Sequence, residues 1–281
     1  MSIELCILAS GSCGNCTVVR TPSGVFLIDC GIGPRVAAGR LKGTGVNVGD
    51  IAAVCLTHLD RDHFNANWAS TIARQGIRVF CAADRIDDII RFADNSAFAK
   101  LVEPFDSQAF QVLAGVELQS LRMSHDETGS HAFVINGFNM RVGFATDLGT
   151  VPTELIELFS GVDLLAIESN YDPHMQRTSG RPWFLQQRIT SGCGHLSNDQ
   201  SLAAVRAILD RTQRHGKQLP RHIVLLHRSR QCNCPNLVRE LFMRDQRIAH
   251  RLVLAEQHRR TDWLGMSREA FPGEQLRLGW G

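Results

Sequence analysis

Thr57-His58-Leu59-Asp60-Arg61-Asp62-His63 follows directly on the apolar run 51–56. That run is short and unbroken, which reads as a buried strand ending where the polar residues begin. Four side chains of metal-ligand type, His58, Asp60, Asp62 and His63, then fall within six positions. Imidazoles and carboxylates projecting from a strand end into one cleft are what a site for two divalent ions needs. Residues two apart, His58 and Asp60, reach one ion, while the adjacent Asp62 and His63 reach another. A lone histidine is most often structural, but this density of ligands is not explained that way.

Three later strands end in the same fashion, at Ser124-His125-Asp126, at Ala145-Thr146-Asp147-Leu148-Gly149 and at Leu225-Leu226-His227. Between them the chain alternates strands and helices. Residues 3–9, 16–20 and 25–29 read as strands, with Thr21-Pro22-Ser23-Gly24 as a hairpin signal. Residues 31–42 look helical, a helix is expected from about Asp62 to Arg74, and 75–91 repeats strand then helix. Several strands follow over 110–144, with Asn136-Gly137 as a hairpin turn. Residues 152–160 read as a helix and 162–167 as a buried strand. Residues 197–214 form a helix with Ser or Asn as N-cap. Residues 222–226 are a strand and 235–243 a helix opened by proline. The last ~30 residues suggest one or two strands with loops. There is no clear linker, so one α/β domain over residues 1–281 is expected, its sheets face to face and its helices outside.

Composition agrees with an ordinary globular chain: 281 residues, 44% hydrophobic, 21% charged. No apolar run spans a bilayer and the N-terminus lacks a signal-peptide pattern, so a cytoplasmic protein without membrane attachment is expected. Nine cysteines, mostly within apolar runs, argue against a disulfide framework. Cys13-x-x-Cys16 and Cys232-x-Cys234 lack zinc-ribbon spacing and read as packing residues. The net charge of +2 conceals an asymmetry. Residues 201–281 hold 15 Lys/Arg against 7 Asp/Glu, and residues 1–200 hold 15 against 21. An acidic first part suits metal ions. A basic last third suits a phosphate-rich ligand, or simply solvated helix faces.

The run from His58 to His63 resembles the signature of the metallo-β-lactamase fold hydrolases, usually His-x-His-x-Asp-His. His125, Asp147 and His227 follow in the family's order. Asp29, in Leu27-Ile28-Asp29-Cys30-Gly31, matches the residue that props the metal-binding loop. The resemblance covers nearly the whole chain and implies a four-layer αββα sandwich. Finer matches point to the YycJ/WalJ-like nuclease subgroup. They are Leu8-Ala9-Ser10-Gly11-Ser12-Cys13-Gly14-Asn15-Cys16, Glu168-Ser169-Asn170-Tyr171-Asp172, an Arg- and Gln-rich helix, and Gly194-His195-Leu196-Ser197-Asn198. Asp60 departs from the usual motif, standing where most members have a second histidine. The same variant occurs in the nuclease-like domain of ComEC DNA-uptake proteins. A carboxylate hardens the site towards Mn or Fe rather than Zn. Tyr171 often corresponds to His in the subgroup, and Arg228-Ser229-Arg230-Gln231-Cys232-Asn233 is a loose match to the family's loop.

What the resemblance implies is a hydrolase of phosphodiesters, acting on DNA, with two divalent cations (Mn, Zn or Fe). His58, Asp60 and His125 would hold one metal, Asp62, His63 and His227 the other, and Asp147 would bridge them. Two such cations, roughly 3.5–4 Å apart, bring a bridging water's pKa towards ~7, and the hydroxide attacks phosphorus. Asp62 and His195 are the catalytic candidates, His195 as proton donor to the leaving oxygen. The helix N-terminus after His195 is a candidate phosphate site. Asn170, Ser197 and Arg228 are candidates for substrate binding, with Glu168, Asp126 and Arg230 nearby. Competing readings are hydrolysis of a small ester, thioester or cyclic phosphodiester, diiron redox chemistry, and a nucleic-acid-binding module with vestigial ligands. The fold alone does not decide among them.

Overall fold

Strand alternation determines how the layers stack. In the computed structural model, which describes residues 2–265, thirteen strands form two sheets, each ordered as the chain runs. The first holds β1 (Glu4–Ala9), β2 (Cys16–Thr21), β3 (Gly24–Ile28), β4 (Ile51–Cys55), β5 (Arg78–Ala82) and β6 (Val102–Phe105). It is antiparallel up to β3 and parallel from β3 to β6. The second holds β7 (Ala109–Leu113), β8 (Val116–Met123), β9 (Ser130–Gly137), β10 (Met140–Ala145), β11 (Leu164–Glu168), β12 (His222–Leu226) and β13 (Leu252–Leu254). It repeats the plan, antiparallel to β10 and parallel from β10 to β13.

Parallel neighbours require crossovers, and helices supply most of them. On the first sheet they are α1 (Pro34–Leu41), α2 (Ala69–Gln75), α3 (Ile86–Ala93) and α4 (Ser96–Ala99). On the second they are α5 (Thr153–Leu158), α6 (Pro173–Arg177), α7 (Trp183–Thr190), α8 (Asn198–Arg214), α9 (Pro235–Met243) and α10 (Gln246–Ala249).

Strands covered on both faces produce three cores. Phe26 and Ile28 of β3 meet Phe133, Phe144, Leu164 and Val224 between the sheets. Val25 and Leu27 point the other way, onto Ala37, Leu41, Trp68 and Ile72. In the second sheet Leu165, Ile167, Ile223 and Leu225 pack on Val205, Ile208, Leu209 and Phe242. These three interfaces are those of the expected four-layer αββα sandwich. Among the described residues no helix is long and apolar enough to cross a membrane.

Several elements differ from expectation. The helix expected from Asp62 begins at Ala69, after a 3₁₀ turn over Ala66–Trp68. The backbone of the metal-ligand run bonds to other loops instead. Asp62 O accepts from Asn15 N (2.6 Å), His63 O from Cys30 N (2.8 Å), and Asn65 N donates to Cys30 O (3.1 Å). Phe64 N to Asp60 O (2.9 Å) closes one turn that goes no further. The β9–β10 turn is Phe138-Asn139, both at positive φ (52° and 58°), not Asn136-Gly137. Gly137 is required elsewhere: a Cβ there would lie 2.6 Å from Gly115 O, in the neighbouring hairpin. The edge strand β6, which runs through Pro104, and α4 are not among the expected elements. Of the C-terminal strands expected, β13 is present and Leu264 pairs with Leu5. Residues 266–281, and that part of the single-domain expectation, lie outside the described residues.

Candidate metal centre

The C-terminal ends of β3, β4, β8, β10, β11 and β12 and the loops that follow them carry Asp29, residues 57–63, His125, Asp147, Glu168–Asn170 and His227, and they converge. Three of these residues occupy left-handed backbone: Asp29 (φ 58°), Asp147 (55°) and His227 (51°). Such conformations cost about 1–3 kcal/mol each and persist where surroundings over-determine them. Here Asp29 N donates to Cys55 O (3.0 Å) and His227 N to Ser10 Oγ (2.7 Å). The turn they make aims each side chain across the strand ends.

Asp29, 1% exposed, is the floor. Its Oδ1 accepts from Thr57 N (2.8 Å), and its Oδ2 accepts from His63 Nδ1 (2.7 Å). Thr57 Oγ1 lies 2.9 Å from Asp29 Oδ2 and 3.0 Å from His58 Nδ1. A hydroxyl donating to Asp29 is thereby an acceptor for His58 Nδ1–H. On the far side, His125 Nδ1 donates to Gly194 O (2.9 Å). All three imidazoles are thus gripped at Nδ1, which leaves Nε2 as a lone-pair donor, the arrangement that orients histidine ligands. His58 Nε2 is buried without a hydrogen-bond partner. An orphaned buried nitrogen costs stability unless something fills its lone pair. A cation does so, and the donor set around it fits one.

Ligand-type atoms of His58, Asp60 and His125 lie within 4.8 Å of one another, as do those of Asp62, His63 and His227. Asp147 stands between the two sets. Its Oδ2 is 2.9 Å from His63 Nε2, and its Oδ1 is 3.9 Å from His125 Nε2 and 3.2 Å from His227 Nδ1. A further set joins Asp147 and His227 to Glu168 and His195.

Buried opposite charges dominate the electrostatics. Burial opposes the carboxylate of Asp147, yet His227 and His63 outweigh it and hold the group well below its usual range. Burial likewise opposes charge on His63, but Asp29 and Asp147 keep its proton well above the ordinary imidazole range. His227, against the same burial, is raised to about 10, first by Asp147. His58 is pushed well down, first by burial and then by the neighbouring His63.

His195 is placed at this centre as the sequence suggested. Its Nδ1 is 2.7 Å from Glu168 Oε1 and 3.3 Å from Asp147 Oδ1. Burial lowers its proton affinity, and Glu168 more than restores it. The other candidates fare differently. Asn170 is buried, and its amide donates to His227 O (2.7 Å) beside that ring's Nδ1, so it positions His227 rather than facing substrate. Ser197 caps α8, accepting from Gln200 N (3.2 Å) while Ser197 N donates to Gln200 Oε1 (2.8 Å). Asn198 N is taken by Tyr171 O (2.8 Å), so the start of α8 offers a phosphate few free donors. Arg228 turns to Ala255 O (3.3 Å), and Arg230 lies at the surface beside His258. Asp126 pairs with Arg188 through both oxygens.

Sequence reasoning missed Asn15 and Ser10. Asn15 Nδ2 lies 2.9 Å from His63 Nε2, and Ser10 fixes the His227 backbone. The signal was the glycine-rich stretch from Ser10 to Asn15, which carried a resemblance but no assigned role. Gly31 is another: a Cβ there would sit 1.7 Å from Asp62 O.

The model of the beta-lactamase superfamily domain matches residues 25–227. The exodeoxyribonuclease YycJ of Bacillus anthracis is 26% identical over 240 residues, which span 85% of this chain and 87% of that protein. Among solved structures, the metallo-beta-lactamase fold protein YhfI from Bacillus subtilis is similar, with a TM-score of 0.67 at 13% identity. That match spans 93% of this chain and 99% of the other. A diphosphatase from the PhnP family gives a TM-score of 0.65 at 15% identity, spanning 94% and 98%. At these identities the solved structures speak for the fold alone.

Proposed function

Because the chain belongs to the beta-lactamase superfamily domain family and is a hydrolase, we propose that it cleaves phosphodiester bonds of DNA with two divalent metal ions. The observation that carries this reading is Asp147, which reaches both sets of donors: its Oδ1 lies 3.9 Å from His125 Nε2 of the first set, and its Oδ2 and Oδ1 lie 2.9 Å and 3.2 Å from His63 Nε2 and His227 Nδ1 of the second. His58, Asp60 and His125 would hold one ion, Asp62, His63 and His227 the other, and Asp147 would join them. When bound, the ions supply a water of lowered pKa and offset charge on the phosphoryl oxygens. Mn, Fe and Zn all accept this mix of imidazole and carboxylate, and Asp60 tilts the choice towards the harder ions.

The chain's own groups do the rest. Asp62, at the open side of the site with its side chain 26% exposed, takes the proton of the attacking water. His195, held at Nδ1 by Glu168, has Nε2 free to protonate the leaving oxygen. Its side chain is 20% exposed, so solvent and substrate reach it. DNA is favoured as substrate by the exodeoxyribonuclease relative and by the basic last third.

The test is incubation with end-labelled single- and double-stranded DNA in Mn²⁺, beside a thioester, a lactam and a small cyclic phosphodiester. Release of nucleotides that disappears in Asp147→Ala supports the proposal. Turnover of the thioester, lactam or cyclic phosphodiester with DNA untouched overturns it.

A further inference from the structure

We propose that Trp183 and Phe184, at the start of α7, form a stacking platform for the unpaired bases of a single-stranded segment entering the metal centre. This rests on the reading of the site as a DNA phosphodiesterase.

Trp183 is 75% exposed and Phe184 68%, the two most exposed large apolar side chains among the described residues. The helix cannot roll to hide them. Its other face holds Leu185 and Ile189, one turn apart, which pack with Tyr171 and Cys232. Burying the aromatics would expose that pair instead. Adjacent exposed aromatics on a soluble domain mark a binding surface.

The platform is joined to the centre by the far end of the same helix. His195 N donates to Ile189 O (2.9 Å), and a Cβ on Gly194 would meet Arg188 O at 2.2 Å, so the last turn of α7 presses on the His195 loop. Arg188 stands one turn beyond Phe184 and grips Asp126, whose Oδ2 is 3.9 Å from His125 Nε2. Eight residues of helix span about 12 Å, so the aromatics stand about one helix length from His195.

Two arginines precede the pair closely in the chain. Arg177 is exposed, and the Arg181 guanidinium donates to the side-chain carbonyl oxygens of Gln231 (3.0 Å) and Gln176 (3.4 Å). Aromatic faces among uncompensated guanidinium groups are how single strands are held without regard to sequence, the bases stacking and the phosphates meeting positive charge. A duplex offers no free base face except at its ends. Two side chains fall far short of the ~800 Å² per partner of a stable protein interface, so a second copy is the poorer occupant.

The experiment measures fluorescence anisotropy of a labelled oligothymidylate and of a blunt duplex, in EDTA so that nothing is cleaved. In the intact chain, Trp183→Ala/Phe184→Ala is expected to weaken oligothymidylate binding about 10-fold or more, and duplex binding much less. Trp183→Phe retains affinity, because it keeps an aromatic face. Phe138→Ala, which removes the exposed aromatic of the β9–β10 turn, serves as the control and leaves both affinities unchanged. Unaltered oligothymidylate affinity in the double variant overturns the platform alone. Altered sedimentation of that variant with unaltered DNA affinity also overturns it, in favour of a protein-docking face. A wild-type chain that binds neither DNA overturns the platform, while the functional reading falls only to the cleavage assay in Mn²⁺.

Discussion

Glu168 Oε1 lies 2.7 Å from His195 Nδ1, while Oε2 of the same fully buried carboxylate takes the backbone N–H groups of Leu148 (2.8 Å) and Leu196 (3.2 Å). Oε2 is thus held by the backbone, while Oε1 serves His195 first and lies 3.3 Å from His227 Nδ1. In Glu168→Gln the carbonyl oxygen stays with the two N–H groups, and the amide NH₂ is turned onto His195 Nδ1. The ring then must accept at Nδ1, and the imidazolium is lost. On a phosphodiester substrate kcat is expected to fall about 10²-fold with KM little changed. His195→Ala should fall as far, and the double variant no further, since the two groups act as a unit. Additive losses in steady-state kinetics would show that Glu168 works through something other than His195.

That pairing also shows what the sequence could and could not disclose. The run from His58 to His63, Asp147 and His227 are visible because polar ligand types end apolar strands, a contrast that needs no knowledge of neighbours. The α8 cap at Ser197 is visible because Gln200 follows three residues later, completing a capping box. The grip of Gly194 O on His125 and the contact of Asn15 with His63 are invisible. Each joins loops far apart in the chain, and a backbone carbonyl leaves no mark in composition. The helix wrongly expected from Asp62 fails for the same reason: local pattern cannot register that Asn15 and Cys30 claim that backbone. Trp183 and Phe184 lie in the stretch read only as an Arg- and Gln-rich helix, and nothing local marks which way they face. Only the packing of Leu185 and Ile189 reveals that they face outwards.

On the proposed reading, Asp60 sets the metal preference. Its side chain is 47% exposed, its Oδ2 is 3.9 Å from His58 Nε2, and partial burial raises its pKa. Asp60→His would replace a hard oxygen with an imidazole and restore the commoner motif. Zinc content after growth in mixed metals is expected to rise at the expense of Mn and Fe, as read by elemental analysis. An unchanged metal ratio would show that the other donors decide selectivity.

Metal loading should expel protons. With the cluster free of metal, Asp147 leads the groups that raise His227 to about 10, and Asp29 and Asp147 hold His63 well up, so both carry protons at pH 7. As ligands they must be neutral. The sign follows: loading releases protons, and affinity weakens as pH falls. Stability that the chelated protein draws from these ion pairs is fully present below the unfolded imidazole pKa, and is lost as pH rises through the raised folded values. Titration calorimetry with Mn²⁺ in buffers of differing ionisation heat measures the release. Heats independent of buffer would rule out protonated ligands.

Gly31 is where sequence, packing and metal affinity meet. A Cβ at Gly31 would sit 1.7 Å from Asp62 O, the carbonyl that accepts from Asn15 N (2.6 Å) and that precedes His63. Neither contact is with a side chain that can swing away, so Gly31→Ala must displace the ligand loop itself. Overpacking of this kind costs about 1–3 kcal/mol, which denaturant unfolding of the chelated protein reads directly. The displacement also moves Asp62 and His63 relative to His227, so metal retention should fall more steeply than stability. A control such as Gly33→Ala, where a Cβ would meet nothing within 4 Å, should change neither. If Gly31→Ala loses stability but keeps both metals at wild-type affinity, the loop carrying Asp62 is not what places the second set of ligands.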